Sequence, residues 1–263
     1  MSRQNYYARR RARRRKVVAA ELVVGLVQQE RRQQPRLGGR KLRVLLAPAL
    51  QKAGVKLGRD RFFALMRERD LLVPARSAEF PHTTNSYHSL PVFRNQLKHL
   101  KVTGPNQAWV SDVTYLRSQE GFLYLALTTD RASRKIVGYH CGDTLEASNC
   151  VRALEMALQS LPAGAKPMHH SDRGTQYCCH EYVNRLEEHG LAISMTEEDH
   201  CAENALAERM NGILKSEYGL GREFKTKAMA REAVKEAVFL YNTRRPHTAL
   251  NMRTPQKVHS LTE

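Results

Sequence analysis

Apolar residues at positions 18, 22, 23, 26 and 27 recur at helical spacing and predict a helix over residues 16–34, ended by Pro35, Gly38 and Gly39. A second helical stretch, residues 40–53, places Leu42, Leu45, Leu46 and Leu50 on one side. Pro48 lies inside it and predicts a kink or a shortened helix, because proline lacks the N–H and its ring crowds the preceding turn. After a turn at Gly54, residues 59–70 carry Phe62, Phe63, Leu65 and Met66 as the apolar positions of a third helix. Two short helices joined by a glycine-containing turn, the second bearing Arg59, Arg61, Arg67 and Arg69, form a helix-turn-helix candidate. The plain alternative is a helical hairpin with solvated arginines.

Residues 74–100, with Pro74, Pro81 and Pro91, read as an irregular linker. From residue 108 the period changes to that of strands. Residues 108–116, 122–129 and 135–142 are β-rich runs separated by short turns and suggest an antiparallel meander. A helix over 146–161, a strand over 166–170, a helix over 180–188, a strand over 191–195 and helices over about 202–218 and 227–241 follow. That order is α/β with a mixed sheet. The expected organisation is a basic helical module (1–73), a linker (74–103), an α/β core (104–225) and a C-terminal helix with a basic tail (226–263).

Charge sharpens this division. The 263 residues hold 43 Lys and Arg against 26 Asp and Glu, a formal net charge of +17. Residues 1–100 hold 23 of the basic and 6 of the acidic residues, and the remainder is balanced at 20 of each. A basic polyanion-binding module is therefore joined to a neutral module with another task. The five cysteines are odd in number and two are adjacent, which excludes a disulfide framework. The Cys and His residues also lack the gaps of zinc motifs. Glu21 interrupts the apolar stretch after the arginine-rich start, which argues against a signal peptide, and no apolar run is long enough to cross a bilayer. The expectation is a cytoplasmic, DNA-associated protein without a membrane segment.

Three acids in the neutral half stand out. Asp112 lies inside a run of β-formers, where aspartate is disfavoured and a buried carboxylate needs a counter-charge or a metal. Asp172 follows a short strand; Ser-Asp-Arg-Gly is also good turn chemistry, so a turn role is equally open at this point. Glu208 belongs to a polar stripe, Asn204, Glu208, Asn211 and Lys215, that lines one helical face and could also be a solvated surface. Between Asp172 and Glu208 lie 35 residues, enough for a helix, a strand and the start of another helix.

With these acids go four ordered motifs: Trp109-Val-Ser-Asp-Val-Thr-Tyr115, His170-Ser-Asp-Arg-Gly-Thr-Gln-Tyr177, Glu203-Asn-Ala-Leu-Ala-Glu-Arg-Met210 running on to Glu217, and Tyr241-Asn-Thr-Arg-Arg-Pro-His247. Together they resemble the D,D-35-E catalytic core of retroviral integrases and insertion-sequence transposases, and more narrowly the second-frame transposase of the insertion-sequence-three family. Glu203 stands where that family usually has Asp and is a rival to Glu208; Glu208 keeps the 35-residue gap and has Lys215 seven positions on. The resemblance implies an RNase-H-like integrase core with a mixed sheet, preceded by a small all-α helix-turn-helix module. It implies a DNA transposase that cleaves element ends and transfers strands.

The implied site uses Asp112, Asp172 and Glu208 as catalytic and metal-ligating residues. Two Mg²⁺ ions, with Mn²⁺ able to substitute, would hold the attacking and leaving oxygens of a phosphodiester displacement. Lys215, Arg244, Arg245, His247, Arg59 and Arg61 are the expected DNA contacts. The implied partners are the double-stranded DNA of terminal repeats and target, further copies of the chain in a synaptic complex, and an upstream-frame protein fused by frameshifting. A DNA-binding regulator with an idle core is the competing reading, and the intact acid triad opposes it. Trp109, the single tryptophan, is expected as a core anchor.

Overall fold

The computed structural model describes residues 3–74, 89–197 and 203–260. The chain divides into two compact units, Met1–Ala78 and Glu79–Glu263.

The first unit is all-helical: α1 (Arg3–Gln33), α2 (Gly39–Lys52) and α3 (Arg59–Glu68). Val23 and Val27 from α1, Leu42, Leu46 and Leu50 from α2, and Phe62 and Met66 from α3 form its core. The apolar stripe of α1 is buried only at its C-terminal end; Val18 is 69 % exposed. This helix starts well before the expected residue 16, because Arg, Ala, Gln and Lys are good helix formers and need no buried face to continue a helix. Pro48 neither ends nor shortens α2, which runs on to Lys52. Its ring faces solvent, and Leu42, Leu46 and Leu50 pack inward on both sides of it. Gly39 permits close packing of α2 on α3, since a Cβ there would meet the Phe63 ring at 2.8 Å.

The second unit is built on a mixed sheet. Strands β1 (Ala108–Ser118), β2 (Gly121–Asp130) and β3 (Ile136–Gly142) form the expected antiparallel meander. After helix α4 (Ala147–Gln159) comes β4 (Met168–Ser171), parallel to β1. The short α5 (Thr175–Cys178) and α6 (His180–Glu188) lead to β5 (Ile193–Met195), parallel to β4. Then follow α7 (Ala205–Glu217), β6 (Glu223–Phe224), α8 (Lys227–Thr243) and α9 (Pro255–His259). The strand order is β3-β2-β1-β4-β5, with β6 pairing to the far end of β1.

Alternation along β1 and β2 gives the sheet two apolar faces. Trp109 and Ala126 join a core with α4 and α6, and Trp109 is fully buried there. Leu116, Leu123, Leu125 and Leu127 join the core formed with α7 and α8. Gly138 lets α4 lie against β3, because a Cβ there would stand 2.0 Å from the Ala153 carbonyl.

The C-terminal motif closes the edge of this sheet. The Asn242 side chain accepts from the Ile136 N–H at 3.0 Å and donates to the Ile136 carbonyl at 2.9 Å, pairing backbone groups of the edge strand β3. Arg245, expected at the DNA, is instead 2 % exposed and forks onto Glu217, with both N–H···O distances 2.7 Å. His247, also expected at the DNA, is 9 % exposed and meets the Tyr241 ring edge-on at 5.3 Å. In this structure both pack within the unit: the Arg245 guanidinium, removed from water, needs a fixed counter-charge, and Glu217 at the end of α7 supplies it. Replacing Glu217 by Gln leaves that guanidinium buried without its counter-charge. The expected outcome is a loss of about 3 kcal/mol of unfolding free energy, read from urea denaturation.

Candidate active site beside strand β1

Strand β1 is flanked by β4 only along Ala108, Val110 and the residue between them, with Val110 level with His170. Asp112 stands two residues beyond Val110 on β1, and Asp172 two residues beyond His170, just past the end of β4 at Ser171. Beyond that point α7 runs along the side of β1. Asn204 donates to the Ser111 carbonyl at 3.1 Å, and Asn211 donates to Asp112 Oδ2 at 2.8 Å. Lys215 holds its Nζ 4.5 Å from the centre of the Tyr115 ring. The polar stripe of α7 therefore follows β1 from Ser111 to Tyr115. Two of its members are nearly inaccessible, Asn204 at 3 % and Asn211 at 6 % exposure, so it is no solvated surface.

Asp112 shares its face of the sheet with Leu127, directly opposite on β2, and so looks into the α7 and α8 side of the core. Its Oδ1 accepts from the Val113 N–H at 2.9 Å. Loss of solvation, then the negative charge of Asp172, push the Asp112 carboxyl up to about 7; Glu208 adds to the rise, while the Asn211 and Val113 N–H groups oppose it. Asp172 and Glu208 thus both lie close enough to act electrostatically on Asp112. Among the described residues, no three His, Cys, Asp or Glu side chains are gathered closely enough to hold a metal by themselves. Asp172 accepts from the Gly174 N–H at 3.0 Å through Oδ1, so the turn role and the position beside Asp112 coexist. Glu208 is half-buried on α7. Its rival Glu203 turns elsewhere and accepts from the Glu197 N–H.

Two adjacent histidines underlie the site. His169 is within 2.9 Å of Ser111 Oγ and 2.8 Å of Tyr182 Oη, and His170 is 2.9 Å from Ser194 Oγ. Burial lowers His169 to about 3 and His170 to about 4, so both are neutral supports of the sheet. The four cysteines among the described residues are free.

Of the expected DNA contacts, Lys215 lies on the same helix face as Glu208, and Arg244 is exposed after α8. Arg59 and Arg61 are exposed on α3 in the other unit. Asn204 and Asn211 had no role assigned from sequence beyond their place in the stripe. Their offsets from Glu208 were the available signal; that their amides reach β1 depends on how α7 lies against the sheet. Each has a buried Oδ1 without a donor in the structure.

Two matches to the integrase core domain family cover residues 102–201 and 189–255. The chain is 37 % identical over 230 residues to the 31 kDa protein of insertion element IS600 from Shigella sonnei, covering 85 % of this chain and 83 % of that one. It is 34 % identical over 197 residues to the transposase InsF of insertion sequence IS3A from Escherichia coli K12, covering 74 % and 67 %. Its fold resembles that of a chain in the simian T-cell lymphotropic virus intasome, solved in complex with the PP2A regulatory subunit B56 gamma, with a TM-score of 0.50 at 18 % identity over 81 % of this chain and 73 % of that one. An integrase core preceded by an all-helical unit, with identity of this extent to transposases of insertion elements, makes the chain a member of the IS3 family of DNA transposases.

Proposed function

We propose that Asp112, Asp172 and Glu208 are the catalytic carboxylates of a magnesium-dependent centre that cleaves the ends of an insertion element and joins them to target DNA. The observation that carries this reading is the state of Asp112. A carboxyl is held on a central strand beside a second acid, and its side-chain hydrogen bonds are to neutral N–H groups of Asn211 and Val113. Such a site accumulates negative charge that folding alone gains nothing from, and it favours a cation.

The donor chemistry fits magnesium. Carboxylates and the amide oxygens of Asn204 and Asn211 are hard ligands, and Mg²⁺ binds through one or two carboxylates while keeping waters and substrate phosphate. Mn²⁺ accepts the same oxygen set. Asp112 on β1 and Asp172 just past β4 would hold the ions, and Glu208 would complete the set from α7. When bound, the metal supplies positive charge to the attacking and leaving oxygens of the phosphodiester. The protein's own part is positional. The β1–β4 pairing brings Asp172 near Asp112, Asn211 orients Asp112, and Lys215 extends the same helix face toward a phosphate of the bound strand. No side chain is needed as nucleophile, so water and then a DNA 3′-hydroxyl can use one centre.

The basic first unit, residues 1–73 in the sequence reading, would hold the DNA through Arg59, Arg61 and neighbouring cations, with Arg244 as a further contact. Residues 74–103 would link it to the catalytic part, residues 104–225, with 226–263 as its C-terminal extension. Joining two ends requires more than one copy of the chain in a synaptic complex, and an upstream-frame protein is the expected additional partner. No described helix is long and apolar enough to cross a membrane, and a bacterial cytoplasmic location suits a DNA substrate.

Asp112→Asn, Asp172→Asn and Glu208→Gln are each expected to lower Mg²⁺-dependent cleavage and joining of DNA from the element's ends by roughly a thousandfold. Binding of the same DNA in EDTA, followed by gel shift, should be unchanged; full activity in any of the three would remove that residue from the centre.

The raised Asp112 carboxyl has a signed consequence. Its folded value, about 7, lies above that of an unfolded aspartate, so its stabilising effect is complete below the unfolded value and disappears as pH rises to about 7. In metal-free buffer Asp112→Asn should therefore gain on the wild type between pH 5 and pH 8, by roughly 5 °C in melting temperature. Added Mg²⁺ should stabilise the wild type more at pH 8 than at pH 6 and leave the variant nearly unmoved. Parallel melting curves for the two proteins at both pH values would expose a normal carboxyl.

DNA affinity should fall with salt. Replacing Arg59 and Arg61 by Gln should reduce the slope of log K against log [salt] by about 1.8, if each neutralises one phosphate.

A further inference from the structure

The face of the sheet that bears Trp109 and Val113 is covered along its first half. The core under α4 and α6 includes Trp109 and Ala126, with Val113 packed at its margin. One step further along, the register places Tyr115 opposite Tyr124 and Arg117 opposite Phe122, and alternation puts all four on that same face. Neither tyrosine belongs to any of the buried apolar clusters; both are half-buried, Arg117 is exposed and Phe122 is 52 % exposed. Tyr115 and Phe122 meet edge-on with ring centres 5.7 Å apart, and the Lys215 ammonium stands over the Tyr115 ring at 4.5 Å. The acid nearest in sequence to Phe122, Glu120, accepts from the Lys227 N–H at the start of α8.

A cross-strand aromatic pair stabilises a sheet to some degree wherever it occurs. That role does not account for a third, exposed ring or for two cations at the rim. It also does not account for the location. Tyr115 lies three residues from Asp112, about 10 Å along β1 but on the opposite face of the sheet; the two faces meet at the side of β1 along which α7 runs, where Lys215 reaches the Tyr115 ring. Rings presented on a sheet with cations beside them are a surface on which unstacked bases gain and duplex DNA does not, because a duplex keeps its base faces inside and offers only phosphates and groove edges.

We propose that Tyr115, Phe122 and Tyr124 form a stacking platform for unpaired bases of the DNA strand next to its cleaved phosphate, with Lys215 and Arg117 meeting the flanking phosphates. This rests on the DNA transposase reading above and deepens it. The platform receives the unpaired end on the face of β1 opposite the carboxylates, reached past the α7 side of the strand, and it acts on any base, since every base has a face to stack.

The test uses the full chain in EDTA, where binding is read without cleavage. The probe is a duplex of the DNA flanking the coding sequence, made either blunt or with a few unpaired nucleotides at its end, one of them 2-aminopurine. The wild type is expected to bind the frayed end more tightly than the blunt one and to quench the 2-aminopurine emission. Phe122→Ser and Tyr115→Ala should each lower the preference for the frayed end about tenfold and restore the emission, whereas Phe122→Tyr should retain both. Phe122 is exposed, so its variant should melt as the wild type does and carries the test even if Tyr115→Ala misfolds. Unchanged emission with the wild type, or variants with the wild-type preference, would overturn the platform. So would variants that alter self-association and leave the preference intact, since the patch would then serve contact between copies. Failure of the wild type to bind either duplex would count against the transposase reading as a whole, while equal binding of both ends counts against the platform alone.

Discussion

A carboxyl group on the central strand of a sheet is the constraint around which the second unit is arranged. Asp112 has Leu127 opposite it and apolar core on its own face; it is half-buried, and its side-chain hydrogen bonds are to the N–H groups of Asn211 and Val113. Several features of the surroundings follow from tolerating that placement. Strand β4 ends at Ser171, so beside Asp112 β1 keeps β2 on one side only and its other side is open to α7. Helix α7 meets β1 with amides, one on the Ser111 carbonyl and one on Asp112 itself, where an apolar stripe would have left both without partners. The histidines behind it are neutral, so they add no competing positive charge within the sheet.

Much of this was legible in the sequence because the local signals agree with the tertiary ones. Alternation located β1, β2 and β3 to within about two residues, and the turns between them are short. The 35-residue interval and the stripe on α7 singled out Asp112, Asp172 and Glu208 as the candidate acids. What could not be read is how elements lie against one another. The spacing of Asn204, Glu208, Asn211 and Lys215 is the same for a solvated face and for one laid along β1; only the contacts distinguish them. Helix α1 was misjudged in the opposite sense. Its first half has no apolar face to detect, and it is helical through the preferences of Arg, Ala and Gln alone. Pro48 misled because its effect depends on which side of the helix it occupies.

The motif at the C-terminal end gives a sharper lesson. Arg244 and Arg245 are adjacent and chemically identical, and both were expected at the DNA. The helix ends at Thr243, and the chain beyond it leaves Arg244 exposed while Arg245 lies against the Tyr241 ring and pairs with Glu217. Clusters of arginine in a DNA-binding protein are therefore not all electrostatic contacts; some lock the scaffold that presents the chemistry. Asn242 belongs to the same clasp, where it closes the backbone of the edge strand that the meander leaves open.

This division of labour explains why the catalytic half is neutral while the N-terminal half is strongly basic. In the second unit, Lys98 pairs with Glu197, Arg185 with Glu155 and Glu188, Lys227 and Arg231 with Asp143, and Arg245 with Glu217. Those cations largely cancel against structural acids, and their exposed pairs add little stability individually. On the proposed reading, a polyanion approaching this unit would meet three further carboxylates, Asp112, Asp172 and Glu208, at the point where its backbone is to be cut. Attraction must then come from elsewhere: from the first hundred residues with their excess of 17 positive charges, from ions drawn by the carboxylates, and from contacts that do not depend on charge. Aromatic rings beside β1 belong to the last class. As proposed, they would let this unit hold a strand end without surrounding its acids with fixed cations, which would compete with a metal for them.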